Sequence, residues 1–213
     1  VVQLGSQIAA ALAHAHAATD EVGNPLRVVH RDVTPHNIFV TWKGTVKLLD
    51  FGVAHAGRAS EPPELVLGKY GYCAPEQARG ESLDARSDVF SLAVCLHEAL
   101  LGRPLFGRRS AQASLSAIMD DPVPNVCESD DTLPAALGTT LSIALSKERE
   151  ERFADARGLA GKLRALQAGA PPGLDLAAFL RRVVPSQERT LTVEELAAPS
   201  WLPTGRPSWL APD

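Results

Sequence analysis

This chain of 213 residues has few cysteines and no excess of positive charge. Cys73, Cys95 and Cys127 are odd in number, far apart and without any CxxC spacing. Such a set indicates neither a disulfide framework nor a zinc site, and it favours a reducing, cytoplasmic location. The formal net charge of -4 supplies no basic field, so we expect no nucleic-acid partner.

Long apolar runs are also missing from the sequence. The apolar run at 92–96 is far shorter than the roughly 20 residues that a membrane-spanning helix needs. The first helical pattern carries polar residues such as Gln3 and His14 and has no basic leader, so we predict neither a targeting segment nor a membrane segment. That pattern starts at Val1 without an initiating Met, and we expect the chain to be a piece of a longer polypeptide.

Hydrophobic periodicity predicts the elements of the first half. Apolar residues recur at helical spacing through 1–19, and Gly, Asn and Pro within 20–25 are expected to end that helix. The runs 38–41 and 46–49 are rich in β-forming residues and predict a small hairpin. The run 89–101 is apolar nearly all round, which predicts a buried central helix with Ser87 or Asp88 as its N-cap and Gly102 after its last residue.

The remaining sequence predicts a long loop, two further helices and a tail. Residues 53–73 lack periodicity and contain Pro and Gly, as functional loops often do. Leucines at helical spacing predict helices around 137–145 and 159–166, the second with Asp155 as its N-cap. We therefore expect a globular unit over 1–167, followed over 168–213 by a short helix and a Pro-rich linker or disordered tail.

The stretch 28–52, VVHRDVTPHNIFVTWKGTVKLLDFG, carries the chemistry. A carboxylate that accepts a hydroxyl proton, together with an amide and a second carboxylate that hold Mg²⁺ on nucleotide phosphates, is the minimum polar set for γ-phosphate transfer. We assign Asp32 the first role, and Asn37 and Asp50 the metal-binding role. Taken singly, each could be an ordinary turn or strand-end residue.

Four motifs in this order resemble a eukaryotic-type protein kinase, especially the myxobacterial branch of the bacterial serine/threonine kinases. They are HRD at 30–32, Asn37, DFG at 50–52 and APE at 74–76. The resemblance covers roughly 1–167 and implies an α+β fold, the mainly helical C-terminal lobe of the protein-kinase-like fold. It also implies ATP and Mg²⁺ as cofactors and a protein as substrate.

The N-terminal lobe is expected to be absent from this chain. Only 29 residues precede the HRD motif, and they contain no glycine-rich loop, strand lysine or partner glutamate. We therefore expect this fragment by itself to bind ATP poorly and to be inactive.

The resemblance assigns further residues. Phe39 matches the position beneath the adenine ring, and His30 and Phe51 match two positions of the hydrophobic regulatory spine. Asp88 matches the aspartate that hydrogen-bonds the catalytic-loop backbone, although a helix cap would also explain it. Glu76 and Arg152 match a buried ion pair that anchors the activation segment, the alternative being two surface charges.

Two positions depart from the usual pattern of the family. Thr34 stands where a lysine commonly contacts the transferring phosphate, and Lys69 stands where the activation segment commonly has a threonine. Our hypothesis is an exchange in which Lys69 supplies the cation and Thr34 the hydroxyl. The alternative is that Lys69 is a solvated loop lysine.

The usual phosphorylation register of the activation loop falls near Leu65, where no hydroxyl is present. Glu64, or equally Glu61, could give Arg31 a fixed carboxylate in place of a phosphate, which predicts activity without loop phosphorylation.

The leading function is a protein serine/threonine kinase that acts in signalling. A pseudokinase or scaffolding module is the first alternative, but the presence of Asp32, Asn37 and Asp50 argues against it. Small-molecule phosphotransferases of the aminoglycoside or choline type also use an HxDxxxxN loop. The APE motif with Arg152 and the long segment before it disfavour that class.

Overall fold

The computed structural model describes residues 1–51, 69–169 and 176–184, with only the backbone at residue 69. The described helices and strands are, in chain order, α1 (Val2–His16), β1 (Ile38–Val40), β2 (Val46–Leu48), α2 (Pro75–Ala78), α3 (Ala85–Leu101), α4 (Ala111–Asp120), α5 (Val126–Ser129), α6 (Ala135–Ala144), α7 (Ala156–Gly169) and α8 (Leu176–Val183). Short 3₁₀ turns occupy Pro35–Asn37, Lys69–Tyr72 and Arg149–Glu151. The described part is thus mainly helical with one two-stranded sheet, as expected.

Helix α3 is the centre of the core. Its residues from Ser87 to His97 are buried, as its nearly uniform apolar sequence predicts. The predicted N-cap is wrong, because Asp84 caps the helix by accepting a hydrogen bond from the backbone N–H of Arg86 at 2.9 Å. Ser87 and Asp88 lie in the first turn, where their side chains make tertiary contacts instead. At the other end Gly102 adopts the left-handed conformation at φ 66°, as predicted for a glycine that follows a helix.

Helix α1 packs against α3 and α7. Gly5 permits this close approach, because a Cβ there would lie 2.8 Å from the side chain of Leu96 on α3 and 3.2 Å from that of Leu163 on α7. The helix ends at His16, three residues before the predicted boundary. A compact turn follows, in which the carboxylate of Asp20 accepts hydrogen bonds from the backbone of Val22 and from Asn24.

The predicted hairpin is present, with each strand one residue shorter than expected. Strands β1 and β2 pair antiparallel, with Ile38 opposite Leu48 and Phe39 opposite Lys47. Gly44 allows the tight turn because it takes φ 78°. The backbone N–H of Val46 donates to the side chain of Gln7 at 3.1 Å, which fixes the hairpin to α1.

Helices α6 and α7 occupy the two leucine-patterned regions. Asp155 caps α7 as predicted, accepting hydrogen bonds from the backbone N–H groups of Arg157 and Gly158. Helices α2, α4 and α5 were not predicted, although Ser110 is an ordinary N-cap whose hydroxyl accepts from Ala113 at 3.1 Å. No helix in the described ranges is both long and apolar enough to cross a membrane. The predicted Pro-rich tail lies outside the described residues from 185 onward.

Candidate active site

The buried carboxylate of Asp88 holds the start of the catalytic loop. Its Oδ2 accepts a hydrogen bond from the backbone N–H of His30 at 2.8 Å, and its Oδ1 accepts one from Arg31 at 2.9 Å. Arg31 has φ 68°, a left-handed conformation that non-glycine residues rarely adopt. The prediction that Asp88 bonds this backbone is therefore confirmed, and the helix-cap alternative is wrong.

His16 also contacts Asp88, and the sequence did not predict this contact. Its Nε2 lies 2.8 Å from Asp88 Oδ2, and its side chain is only 5% exposed. Asp88 thus contacts three partners from two other parts of the chain. No local pattern could have revealed the contact, because 72 residues separate His16 from Asp88.

His30 links the segment that carries Asp32 to the segment that carries Asp50. Its Nδ1 accepts from the backbone N–H of Asp32 at 3.3 Å, and its Nε2 donates to the carbonyl oxygen of Leu49 at 2.9 Å. This pair of contacts fits the tautomer with the proton on Nε2. The ring also packs against Phe51, with centroids 4.5 Å apart, so the predicted His30–Phe51 contact is confirmed.

Asn37 is buried beside Asp32, and its carboxamide is fully oriented. Its Nδ2 donates to the carbonyl oxygen of Asp32 at 2.8 Å and to the carboxylate Oδ2 of Asp32 at 2.9 Å. Because the amide has only two N–H protons, Oδ1 is the group that remains to bind a ligand.

Leu49, the residue before Asp50, bonds to both Asn37 and His30 through its backbone. The N–H of Leu49 donates to the carbonyl oxygen of Asn37 at 2.8 Å, while its carbonyl oxygen accepts the bond from His30. Asp50 then turns out of the strand with φ 58° and an exposed side chain. The structure thus joins Asn37 to Asp32 by hydrogen bonds and places Asp50 directly after Leu49, whose backbone contacts Asn37 and His30. Gly52 of the same motif lies outside the described residues.

These side chains fit the nucleotide and metal that the motifs imply. Mg²⁺ is typically bound through one or two protein oxygens, with substrate phosphates and water completing its shell, and the Asn37 amide and the Asp50 carboxylate are of that kind. Phe39 is 55% exposed on the hairpin, which offers a flat apolar surface for a purine ring.

A second buried cluster joins α2 and the first turn of α3 to the segment that precedes α7. Arg152 binds Glu76 through two parallel hydrogen bonds, Nη1 to Oε1 at 2.8 Å and Nη2 to Oε2 at 2.9 Å. The side chains are 0% and 2% exposed, so the predicted buried ion pair is confirmed. Ser87 adds a hydrogen bond to Glu76 Oε1 at 2.6 Å.

Every N–H of Arg152 has an acceptor. Besides its bonds to Glu76, the guanidinium donates to the carbonyl oxygens of Ser146, Arg86 and Lys147. Burial alone would raise the pKa of Glu76, but the hydrogen bonds from Arg152 and Ser87 outweigh it and hold that pKa below its ordinary value. These hydrogen bonds therefore favour the carboxylate form of Glu76 in the folded protein.

Comparison with known proteins identifies the family. A family model described as a protein kinase domain matches residues 1–162. The chain belongs to the protein kinase family. Its motif-based resemblance to eukaryotic-type bacterial kinases is thereby confirmed.

Three bacterial kinases illustrate the similarity. The chain is 39% identical over 172 residues to the tyrosine-protein kinase MasK of Myxococcus xanthus (strain DK1622), an alignment that covers 78% of this chain and 27% of MasK. It is 37% identical over 150 residues to the serine/threonine-protein kinase PknB of Mycobacterium tuberculosis (strain ATCC 25618 / H37Rv), with 68% and 24% covered. It is 35% identical over 224 residues to the serine/threonine-protein kinase PknH of Mycobacterium bovis, with 98% and 35% covered. The chain spans about a quarter to a third of the length of these relatives.

The structure describes only one of the two unusual positions in full. Thr34 is 2% exposed, and its Oγ1 has no hydrogen-bond partner within the described ranges. Lys69 begins the turn Lys69–Tyr72, but its side chain lies outside the described residues, as do Glu61, Glu64 and Leu65. The exchange hypothesis and the carboxylate partner for Arg31 both stay predictions.

Tyr72, one of the hydroxyls of the segment before APE, is tied to the kinase core. Its hydroxyl donates to Glu98 Oε2 at 2.7 Å, and Glu98 Oε1 accepts from the backbone N–H of Leu105 at 2.9 Å. Burial, and then the neighbouring Glu98 carboxylate, raise the pKa of Tyr72 above its ordinary value. The contact fixes the end of the segment to the last turn of α3.

Proposed function

We propose that this chain is the large catalytic lobe of an ATP-dependent protein serine/threonine kinase, which transfers the γ-phosphate to a hydroxyl of a protein substrate. The observation that carries the proposal is the orientation of Asn37. Both of its amide protons bind Asp32, so one side chain aligns the candidate base and offers its own oxygen to a metal.

In this proposal each residue has a distinct task. Asp32 orients the substrate hydroxyl and accepts its proton. Asn37 and Asp50 hold Mg²⁺, which neutralises charge on the phosphate oxygens when it is bound. Phe39 supports the adenine ring.

The main test is a transfer assay on the full-length protein, with radiolabelled ATP and either a generic protein or a panel of small alcohols. Transfer to serine and threonine of the protein is expected, and Asp32→Asn should lower kcat by about 100- to 10,000-fold. Asp130→Asn, at an exposed turn, is the matched control.

Other results of that assay point elsewhere. Phosphotyrosine as the product would indicate tyrosine specificity, as in the name of the tyrosine-protein kinase MasK, instead of serine/threonine specificity. Transfer only to small alcohols would favour an aminoglycoside- or choline-type enzyme. No transfer at all by the unmodified protein would favour a pseudokinase.

We further propose the exchange of Lys69 and Thr34. A cation about 4 Å from a phosphate oxygen contributes about 4 kcal/mol before desolvation at an effective dielectric of 20, so Lys69→Ala should reduce kcat strongly. Lys43→Ala, in the hairpin turn, is the control that should leave kcat unchanged. Full turnover by Lys69→Ala would disprove the exchange.

Activity without phosphorylation of the loop is also part of the proposal. Glu64 or Glu61 would supply the negative charge that Arg31 meets as a phosphate in many relatives. Retained activity after phosphatase treatment would agree with it. A strict requirement for phosphorylation of Ser60, the serine of the predicted loop 53–73, would contradict it.

Three further expectations from the sequence concern the whole protein and are also part of the proposal. They are the division of the chain at residue 167, a small N-terminal lobe outside these 213 residues, and a cytoplasmic role in signalling. Expression of this chain with and without its upstream sequence, followed by ATP-binding measurements, would test the second.

A further inference from the structure

The backbone of Arg31 adopts a constrained conformation in the catalytic loop. Its φ of 68° is left-handed, a conformation that costs a non-glycine residue roughly 1–2 kcal/mol. Such a conformation persists only where surrounding contacts hold it. Because Arg31 directly precedes Asp32, this turn decides the direction in which the Asp32 side chain leaves the backbone.

Two side chains bind the backbone of Arg31, one at its N–H and the other at its carbonyl oxygen. Its N–H donates to Asp88 Oδ1 at 2.9 Å, and its carbonyl oxygen accepts from Gln77 Nε2 at 3.0 Å. The peptide unit that joins Arg31 to Asp32 is therefore fixed at its oxygen by Gln77 and at its nitrogen by His30. Neither the sequence reading nor the family motifs gave Gln77 a role.

Gln77 is itself attached to the buried anchor of the activation segment. It follows Glu76 in α2, and Glu76 is bound by both ends of the Arg152 guanidinium. Backbone hydrogen bonds also hold both ends of α2 in place. The N–H of Ala78 donates to the carbonyl oxygen of Ala74, and the N–H of Glu81 donates to that of Glu76. A shift of α2 would therefore move the Gln77 amide away from the Arg31 carbonyl.

We propose that Gln77 is a positioning residue for Asp32, through which correct seating of α2 is transmitted to the catalytic loop. The proposal rests on the proposed kinase function, in which Asp32 orients the substrate hydroxyl. Gln77 touches neither substrate nor nucleotide in this role. Its effect should consequently fall on kcat and not on the KM for ATP.

The test uses three variants of the full-length protein. Gln77→Met keeps the length of the side chain but removes the donor, and Gln77→Lys restores a donor with enough reach. Gln112→Met makes the same chemical change at an exposed position of α4 and serves as the control. Each variant is assayed for kcat, KM for ATP, Tm and hydrogen exchange.

Gln77→Met should lower kcat about tenfold, the rate equivalent of one lost hydrogen bond of roughly 1.4 kcal/mol. The KM for ATP should stay within about twofold and Tm should match that of Gln112→Met, because the half-buried amide supports no core. Gln77→Lys should recover most of kcat. Amide exchange should rise at 30–32 in Gln77→Met and stay unchanged in α3.

Unchanged kcat and unchanged exchange in Gln77→Met would overturn the proposal. An equal loss in Gln77→Lys would also overturn it, because a restored donor should restore the position. If the unmodified protein transfers no phosphate, the proposed function fails separately. The exchange measurement then still decides whether Gln77 holds the loop.

Discussion

Two neighbouring residues in the first turn of α3 serve two very different polar clusters. Ser87 donates to Glu76 in the anchor of the activation segment, whereas Asp88 accepts from the catalytic loop. In the anchor, all five N–H groups of Arg152 have acceptors within the protein. In the candidate active site, Asn37 bonds to Asp32 through its amide nitrogen only, which leaves its side-chain oxygen for a ligand. The Asp50 side chain is exposed.

This contrast separates stabilising groups from binding groups. A buried charge whose hydrogen bonds are all satisfied has nothing left with which to bind a ligand, so the anchor can only support the fold. A loop whose backbone is held by other side chains can leave its own oxygens for a ligand. The candidate site can therefore bind a ligand because the side chains that hold its backbone come from other parts of the chain.

The anchor should give the largest change in stability. Arg152→Ala leaves the Glu76 carboxylate buried with no compensating positive charge and only the Ser87 hydroxyl as a partner, so the free energy of unfolding should fall by about 3–5 kcal/mol. Urea denaturation of both proteins measures the change. Arg79→Ala removes an exposed ion pair with Glu81 and should cost less than about 1 kcal/mol. Similar losses from both variants would erase the distinction between the two kinds of contact.

The support of the catalytic loop should give an intermediate effect. Asp88→Asn turns an N–H₂ group toward backbone donors, so the free energy of unfolding should fall by about 1–3 kcal/mol. Because the same change releases His30 and Arg31, kcat of the full-length protein should fall as well. Asp120→Asn, at an exposed position, is the comparison for both measurements. A stability loss with full activity would show that Asp88 does not position the loop.

Acid should weaken the anchor selectively. The pKa of Glu76 is lower in the folded protein than in the unfolded chain, so its contribution is complete above the ordinary glutamate pKa of about 4.3 and is lost as the pH falls through the lowered folded value. The free energy of unfolding, measured between about pH 6 and pH 3, should therefore fall with acid less steeply in Glu76→Gln. Parallel curves for the two proteins would contradict the assignment.

The smallest expected effect belongs to Thr34. Its buried hydroxyl has no partner in the described part of the chain, so Thr34→Val should raise the free energy of unfolding by about 1 kcal/mol. Turnover should slow at the same time if the hydroxyl acts in the site. Thr140→Val provides the opposite case, because Thr140 donates to Ala136 at 2.7 Å and should lose stability. Destabilisation by both variants would place Thr34 among the structural groups.

Much of the site could be predicted because its signals are local. The HRD, Asn37 and DFG motifs lie within 25 residues of one another, and a short hairpin links Asn37 to the segment that ends at Asp50, so the sequence indicates their proximity along the chain. Gly102 and Asp155 likewise act on their own helices, through a left-handed conformation and an N-cap.

Other features had no local signal. Asp84 and Asp88 are equally good caps by composition. The family resemblance indicated the contact of Asp88 with the catalytic loop, but only the tertiary structure identified Asp84 as the cap. The bonds from His16 to Asp88 and from Gln77 to Arg31 join residues 72 and 46 positions apart. Such pairs depend on how helices pack, which periodicity alone does not specify.

The amino-acid sequence by itself determined the family, the order of the candidate catalytic groups and a few helix ends, such as Gly102 after α3 and Asp155 before α7, because spacing and turn chemistry act within a few residues. Only the tertiary structure added His16 and Gln77 to the supports of the site and showed that Asn37 bonds to Asp32 through its amide nitrogen, which leaves its oxygen available. These contacts depend on burial, since a carboxylate or amide must find its partners wherever packing removes it from water.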